Sequence, residues 1–317
     1  MPLDSHSAAL AQLFAKARVT PLNEMTVLQV REGASRLRVM YGQGPEMAAV
    51  HDVLVPSNGA SIEARLLVPS PAPNALVVYF HGGGWVTGHI DDFDTLGRKL
   101  AIRTQCAVLL VNYRLAPEAR FPAAIDDGMS ALQWAVTRGR ELLCSDSLPP
   151  LIVAGDSAGG NIAAVVARRA RDNELLCIAA QVLLYPVTDA DFGRPSYLDA
   201  NLQPLLTAEM MRWYWDHYLP DITQRQHPDA SPLAADDLRG LPPTLLITAE
   251  YDPLRDEGEA YAARLIEAGV PIQVERYSGQ FHGFVSFVNV LPGSAAAIDH
   301  IGRFIEQRLA VLPISHS

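Results

Sequence analysis

Three cysteines in 317 residues, Cys106, Cys144 and Cys177, are too few for a disulfide framework, and none stands in a C-x-x-C pair. A zinc–cysteine site is disfavoured for the same reason, and a reducing, cytoplasmic setting is the expectation. Lysine is nearly absent. Only Lys16 and Lys99 accompany 23 arginines, and 35 acids against 25 bases leave a formal net charge of −10. No Lys/Arg cluster occurs, so no nucleic-acid partner is expected. A polybasic, stable membrane association is disfavoured on the same ground. No run of about 18 apolar residues could span a bilayer. The first residues, MPLDSHSAALAQLFAKARVTP, lack a basic region followed by an apolar one, so no signal peptide is expected.

What is present suits a globular protein. The chain is 49% hydrophobic and 19% charged, which supports a sizeable core and excludes wholesale disorder. Its length suits one large α/β domain, or one domain with an insertion. Residues 6–40 carry Leu10, Leu13, Phe14 and Ala17 at helical spacing, which predicts one or two amphipathic helices. Two strand-like runs follow, His51–Val55 and Ile62–Val68, joined by the hairpin-turn signal Ser57-Asn58-Gly59-Ala60. Six short apolar runs then alternate with helical stretches: Leu76–Phe80, Ala107–Asn112, Leu151–Ala154, Gln181–Tyr185, Thr244–Thr248 and Ile272–Tyr277. Such runs suit parallel strands covered on both faces. Eight strands result, the first two an antiparallel hairpin. Residues 186–242 break the alternation with seven prolines and the cluster Trp213-Tyr214-Trp215. That stretch reads as an insertion outside the sheet, with one helix, Thr207–Tyr218, capped by Thr207.

The chemistry gathers at Gly155-Asp156-Ser157-Ala158-Gly159, between an apolar strand and a helical run. A nucleophile on a very sharp strand-to-helix turn needs small flanking residues, and the helix start aims N–H groups at the reaction centre. Chance alone would supply roughly 0.1 such G-x-S-x-G matches here, so the strand and helix around it carry the inference. Gly155 and Gly160 also have P-loop spacing. Asn161 and Ile162 stand where Lys and Ser/Thr would hold phosphate and Mg²⁺, and the nucleotide reading fails. The second piece is His81-Gly82-Gly83-Gly84-Trp85, directly after the strand Leu76–Phe80. Consecutive glycines permit a path that presents successive N–H groups to one point, as an oxyanion requires. His81 reads as a structural support of that loop.

A serine hydroxyl needs a base, and the base an orienting carboxylate. Of nine histidines, His282 alone sits in a loop after a late strand and before a helix, in Gly279-Gln-Phe-His282-Gly283-Phe284. The preceding strand is followed by Glu250-Tyr251-Asp252-Pro253-Leu254-Arg255-Asp256-Glu257. Four acids compete there. Asp256 and Glu257 open the next helix, where acids suit the helix dipole. Asp252 lies at the bend, held by Pro253, and gives the order Ser157, Asp252, His282.

Together HGGGW, GDSAGGN, YDPLRDEG and FHGF resemble the hormone-sensitive-lipase-like branch of the α/β-hydrolases, the bacterial family IV carboxylesterases. Asn112-Tyr113-Arg114-Leu115-Ala116-Pro117-Glu118 resembles a further block, with Asn112 where Asp is commoner. The resemblance spans about residues 45–310. It implies the α/β-hydrolase fold: an eight-stranded, mostly parallel sheet with helices on both faces and a helical cap. Residues 1–45 and 186–242 would form the cap, and 46–185 and 243–317 the catalytic domain. It implies nucleophile Ser157, acid Asp252 and base His282. The oxyanion donors would be the N–H groups of Gly83, Gly84 and Ala158, with His81 and Gly82 supporting the loop. The expected activity is hydrolysis of a small-molecule ester of short to medium acyl chain, without cofactor or metal. A homodimer is compatible with it. Two other readings stay open. One is an amidase, arylformamidase, carbamate or lactone hydrolase of the same fold. The other is a non-catalytic small-molecule receptor, against which the intact Ser157, Asp252 and His282 set argues.

Overall fold

A computed structural model describes residues 2–17, 20–143, 149–173 and 177–312. Cys144 lies outside the described residues. Strands β1 (Ala49–Ser57) and β2 (Ala60–Val68) pair antiparallel, with Ser57 opposite Ala60. The two residues between them, Asn58 and Gly59, have φ of 39° and 78°. Positive φ at both positions is what a two-residue hairpin needs to match strand twist.

The remaining strands are β3 (Leu76–Phe80), β4 (Ala107–Val111), β5 (Leu151–Asp156), β6 (Ile178–Leu184), β7 (Thr244–Tyr251) and β8 (Ile272–Phe281). The sheet order is β1-β2-β4-β3-β5-β6-β7-β8. The pairs β1–β2 and β2–β4 are antiparallel, and every pair from β4 to β8 is parallel. The continuous apolar runs conceal a period of two. Leu76, Val78 and Phe80 face one core, while Val77 and Tyr79 face the other. Burial on both faces removes any need for a polar alternate position.

Helices complete the two layers. Among those used below, α1 (Ser5–Ala17) and α2 (Val27–Arg36) precede the sheet. Helices α3 (Ile90–Thr104) and α8 (Pro292–Ala310) cover one face. Helices α4 (Ala123–Trp134), α5 (Ala158–Asp172) and α7 (Arg255–Glu267) cover the other. Helix α6 (Ala208–Tyr218) lies between β6 and β7 and contributes no strand. Thr207 caps it, its side chain accepting from the Met210 N–H at 3.2 Å. Among the described residues, no helix is long and apolar enough to cross a membrane.

Several strand boundaries depart from the sequence reading, the end of β8 by the most. Strand β8 runs to Phe281 rather than Tyr277. Ser278, Gly279 and Gln280 break the apolar pattern, yet Phe281 still pairs with Tyr251 across a register shift. Polar partners hold this stretch. Glu250 accepts from the Gly279 N–H at 2.7 Å, and Asp4 donates its N–H to the Gly279 carbonyl at 3.1 Å.

A buried carboxylate on α4, Asp127, ties the hairpin and the stretch after β4 to that helix. Asp127 is fully buried and accepts from Arg114 through N at 2.8 Å, Nε at 2.9 Å and Nη2 at 2.7 Å, and from Ser57 Oγ at 2.5 Å. Removing the carboxylate leaves the buried Ser57 hydroxyl and the Arg114 N–H without their acceptor. We expect Asp127→Ala to lower unfolding stability by about 2 kcal/mol in urea denaturation. A change below about 1 kcal/mol would show that water replaces the carboxylate at no cost.

Candidate active site

Ser157 sits between β5 and α5 with φ 55° and ψ −118°, outside the region that ordinary residues favour. Its backbone is held from several sides. The Ser157 N–H donates to Leu184 O at 2.9 Å, and its carbonyl accepts from the N–H groups of Asn161 and Val187, both at 3.1 Å. The turn tolerates no bulk beside it. A Cβ at Gly159 would stand 2.0 Å from Phe80 O, and one at Gly155 would stand 2.2 Å from Gly159 O. These contacts explain the two glycines of the motif better than turn propensity does.

The structure brings Ser157, Asp252 and His282 together. His282 follows β8, with Nε2 2.9 Å from Ser157 Oγ and Nδ1 2.7 Å from Asp252 Oδ2. Asp252 is fully buried, and its Oδ1 accepts from the Leu254 N–H at 2.8 Å. The carboxylate can only accept, so Nδ1 carries the proton and the Nε2 lone pair faces the hydroxyl. The Tyr185 ring meets the imidazole edge-on, with centroids 4.8 Å apart.

The other three acids of that loop are engaged elsewhere. Glu250 holds Gly279. Asp256 accepts from the Ser196 N–H at 2.8 Å. Glu257 is fully buried and accepts from the N–H of Thr188 at 2.8 Å and of Asp189 at 3.3 Å. Burial pushes the Glu257 carboxyl well above the usual range. Asp256 and Glu257 thus do more than suit a helix dipole: they pin the chain leaving β6 to the start of α7.

After β3 the loop runs through Gly83, Gly84 and Trp85 at φ of 116°, 60° and 59°. The N–H groups of Val86 and Thr87 return to the Gly83 carbonyl at 3.1 and 2.9 Å. Gly84 lies under the Tyr214 ring of α6, where a Cβ would come within 2.3 Å of ring carbons. Ala158 is the first residue of α5, so its N–H has no preceding turn to bond with. His81 packs between Phe93 and Tyr113, at ring separations of 5.2 and 4.4 Å, and its Nδ1 lies 2.7 Å from Gly82 O. Burial pushes the His81 imidazole down to about 4, which keeps it neutral near pH 7.

Asp156 was not singled out in the sequence. Its Oδ1 accepts from Tyr79 OH at 2.8 Å and from the Gly82 N–H at 2.9 Å. The residue preceding Ser157 therefore clamps the glycine loop to the turn after β5. An acid closing an otherwise apolar strand is the signal that could have revealed it. Burial pushes its carboxyl up to about 6, although the two hydrogen bonds oppose that shift.

Comparison with known proteins agrees with this geometry. The family profile for the α/β-hydrolase fold matches residues 77–286. Carboxylesterase NlhH of Mycobacterium tuberculosis is 41% identical over 225 residues, covering 70% of each chain. An ethyl acetate hydrolase of Pseudomonas putida is 34% identical, covering 98% of this chain and 100% of its own. A solved hyperthermophilic esterase from the archaeon Pyrobaculum calidifontis matches with a TM-score of 0.90 at 38% identity, covering 98% of this chain and 100% of that one.

The raised Asp156 value fixes a pH effect. Folded Asp156 holds its proton up to about 6, while the unfolded carboxyl releases it near 3.8. The contribution is therefore complete below 3.8 and is lost as the pH rises through about 6, a change of about 3 kcal/mol. Asp156→Asn keeps the Oδ1 acceptor but cannot ionise. The variant should gain roughly 2–3 kcal/mol on the wild type between pH 4 and pH 7 in urea denaturation. Parallel stability curves for the two proteins would contradict this.

Proposed function

This chain belongs to the α/β-hydrolase fold family, in its hormone-sensitive-lipase-like carboxylesterase branch, and on that footing we propose that Ser157, His282 and Asp252 hydrolyse short- to medium-chain esters. The enzyme is a carboxylic ester hydrolase. The observation that carries the residue roles is the unbroken link from Asp252 Oδ2 through His282 to Ser157 Oγ, at 2.7 and 2.9 Å.

Ser157 Oγ attacks the ester carbonyl while His282 Nε2 takes its proton. Asp252 fixes the ring and stabilises the imidazolium. The N–H groups of Gly83, Gly84 and Ala158 receive the tetrahedral oxyanion. The C–O bond then breaks, His282 protonates the leaving alcohol, and an acyl-Ser157 remains. Water, deprotonated by His282, releases the acid and restores the hydroxyl.

Residues 1–45 and 186–242 form a cap over the carboxyl edge of the sheet in this reading. Supporting it, Tyr214 rests on Gly84, and Trp85 stacks on Tyr218 with ring centroids 4.2 Å apart. Such a roof encloses an acyl pocket of limited length. Each methylene that fits adds up to about 0.8 kcal/mol of binding, and the gain stops where the pocket ends. The protein works in the cytoplasm on small-molecule esters, without stable membrane association.

We expect Ser157→Ala to lose on the order of 10⁴–10⁶ in turnover of nitrophenyl esters while remaining folded. A folded variant keeping a tenth of the activity would sink the mechanism. Asp252→Asn should cost on the order of 10⁴ in kcat, through the wrong imidazole tautomer, and Asp256→Asn far less. Across acyl chains from acetate to palmitate, the optimum should fall at about four to eight carbons, the range the family resemblance implies, with burial gain ending where the pocket does. An optimum at palmitate that rises sharply above the micelle threshold would show a lipase instead.

A further inference from the structure

The oxyanion loop has a partner outside the sheet. Arg31 stands on α2, where Val30 is the buried residue, so little apolar burial docks this helix. Its guanidinium is nonetheless deeply committed. Nε donates to Val86 O at 2.8 Å, and Nη2 to Ala116 O at 2.9 Å. Nη1 and Nη2 also bond the two oxygens of Glu118 at 2.8 and 2.7 Å.

Val86 belongs to the turn that closes on Gly83, through the hydrogen bonds from Val86 and Thr87 to the Gly83 carbonyl. Ala116 donates its N–H to Trp85 O at 2.8 Å. Arg31 therefore ties the turn immediately after Gly83 and Gly84 to the segment at Ala116, which already touches it. Two convergent carbonyls call for a forked donor. A lysine nitrogen is a single point and cannot serve both in this geometry. Glu118 balances the charge, and the Arg31 hydrogen bond holds the Glu118 carboxyl below the usual range.

We propose that Arg31 is a positioning residue for the oxyanion donors: it fixes the Gly83–Thr87 turn, and through it the Gly83 and Gly84 N–H groups. Such donors act only when held near 2.7–3.1 Å from the developing oxyanion. Releasing the turn should therefore weaken transition-state binding and leave ground-state binding nearly unchanged. The proposal rests on the esterase reading above.

The test uses the full chain with Arg31→Met, Arg31→Lys and Glu118→Gln, and the exposed Leu28→Ala on the same helix as control. Active sites are counted by phosphonate titration. The readouts are kcat and KM for nitrophenyl butyrate, and Ki for a trifluoromethyl ketone that forms a tetrahedral adduct. Arg31→Met should lose about 10- to 100-fold in kcat per active site, less than or similar to deleting one donor, with KM within about threefold. Ketone affinity should fall by the same factor as kcat/KM. Arg31→Lys should fall between the two, Glu118→Gln should lose about two- to fivefold, and Leu28→Ala should match the wild type. A purely structural role would lower the melting temperature and leave kcat per active site intact, which overturns the proposal. An unchanged ketone Ki beside a reduced kcat overturns it too. Should Arg31→Met not fold, Arg31→Lys and Glu118→Gln decide by the same readouts. A wild type inert to all esters would remove the esterase reading; an active wild type with indifferent variants removes only this one.

Discussion

The backbone of Gly159 lies against the carbonyls of Phe80 and His81 with no room for a side chain, and this contact sets the distance between Ser157 and the glycine loop. Strands β3 and β5 pair in parallel, with Phe80 opposite Gly155, and Gly155 in turn faces Gly159. Three backbone segments meet where any Cβ would separate them. The sharp turn at Ser157 and the path of the HGGG loop follow from that closeness. Asp156 then fastens the two by accepting from Gly82 and Tyr79. The spacing between Ser157 and the glycine loop is a packing consequence, as preorganised donors require in the proposed mechanism.

Three fully buried or nearly buried acids surround this centre, and their surroundings give each a different task. Asp252 has a histidine partner and one backbone donor. Asp156 has a tyrosine and a backbone N–H, and burial still raises it to about 6. Glu257 has two backbone donors, and burial pushes it well above the usual carboxylate range. A buried acid without a cationic partner is favoured as the neutral form. Sequence position alone does not distinguish these roles, since Asp252, Asp256 and Glu257 crowd one loop.

The segments outside the sheet reach both arms of the site. On the oxyanion side, Trp85 stacks on Tyr218 from the stretch between β6 and β7, and Arg31 reaches Val86 from the N-terminal stretch. On the histidine side, Asp4 bonds Gly279, Ser7 and Gln280, just before Phe281 and His282. The edge strand β8 is exposed over much of its length, so these polar bonds supply order that burial does not.

Much of this was legible in the sequence. Apolar runs separated by helical stretches gave six strands, and Asn58-Gly59 gave the hairpin of the other two, because local sterics decide both. Four short motifs indicated Ser157, Asp252 and His282, since a strained turn or a glycine run restricts which residues can stand there. The strand end at Phe281 was not legible, because polar residues there are held by Glu250 and Asp4 rather than by their own pattern. Nor were Asp156 as a clamp, Glu257 as a buried pin, or Arg31 as a brace. Each depends on a partner far away in the chain, and only folding makes such residues neighbours. Local propensity therefore fixed the elements and the chemistry of the motifs. Tertiary packing alone decided which ordinary polar side chains hold that chemistry in place.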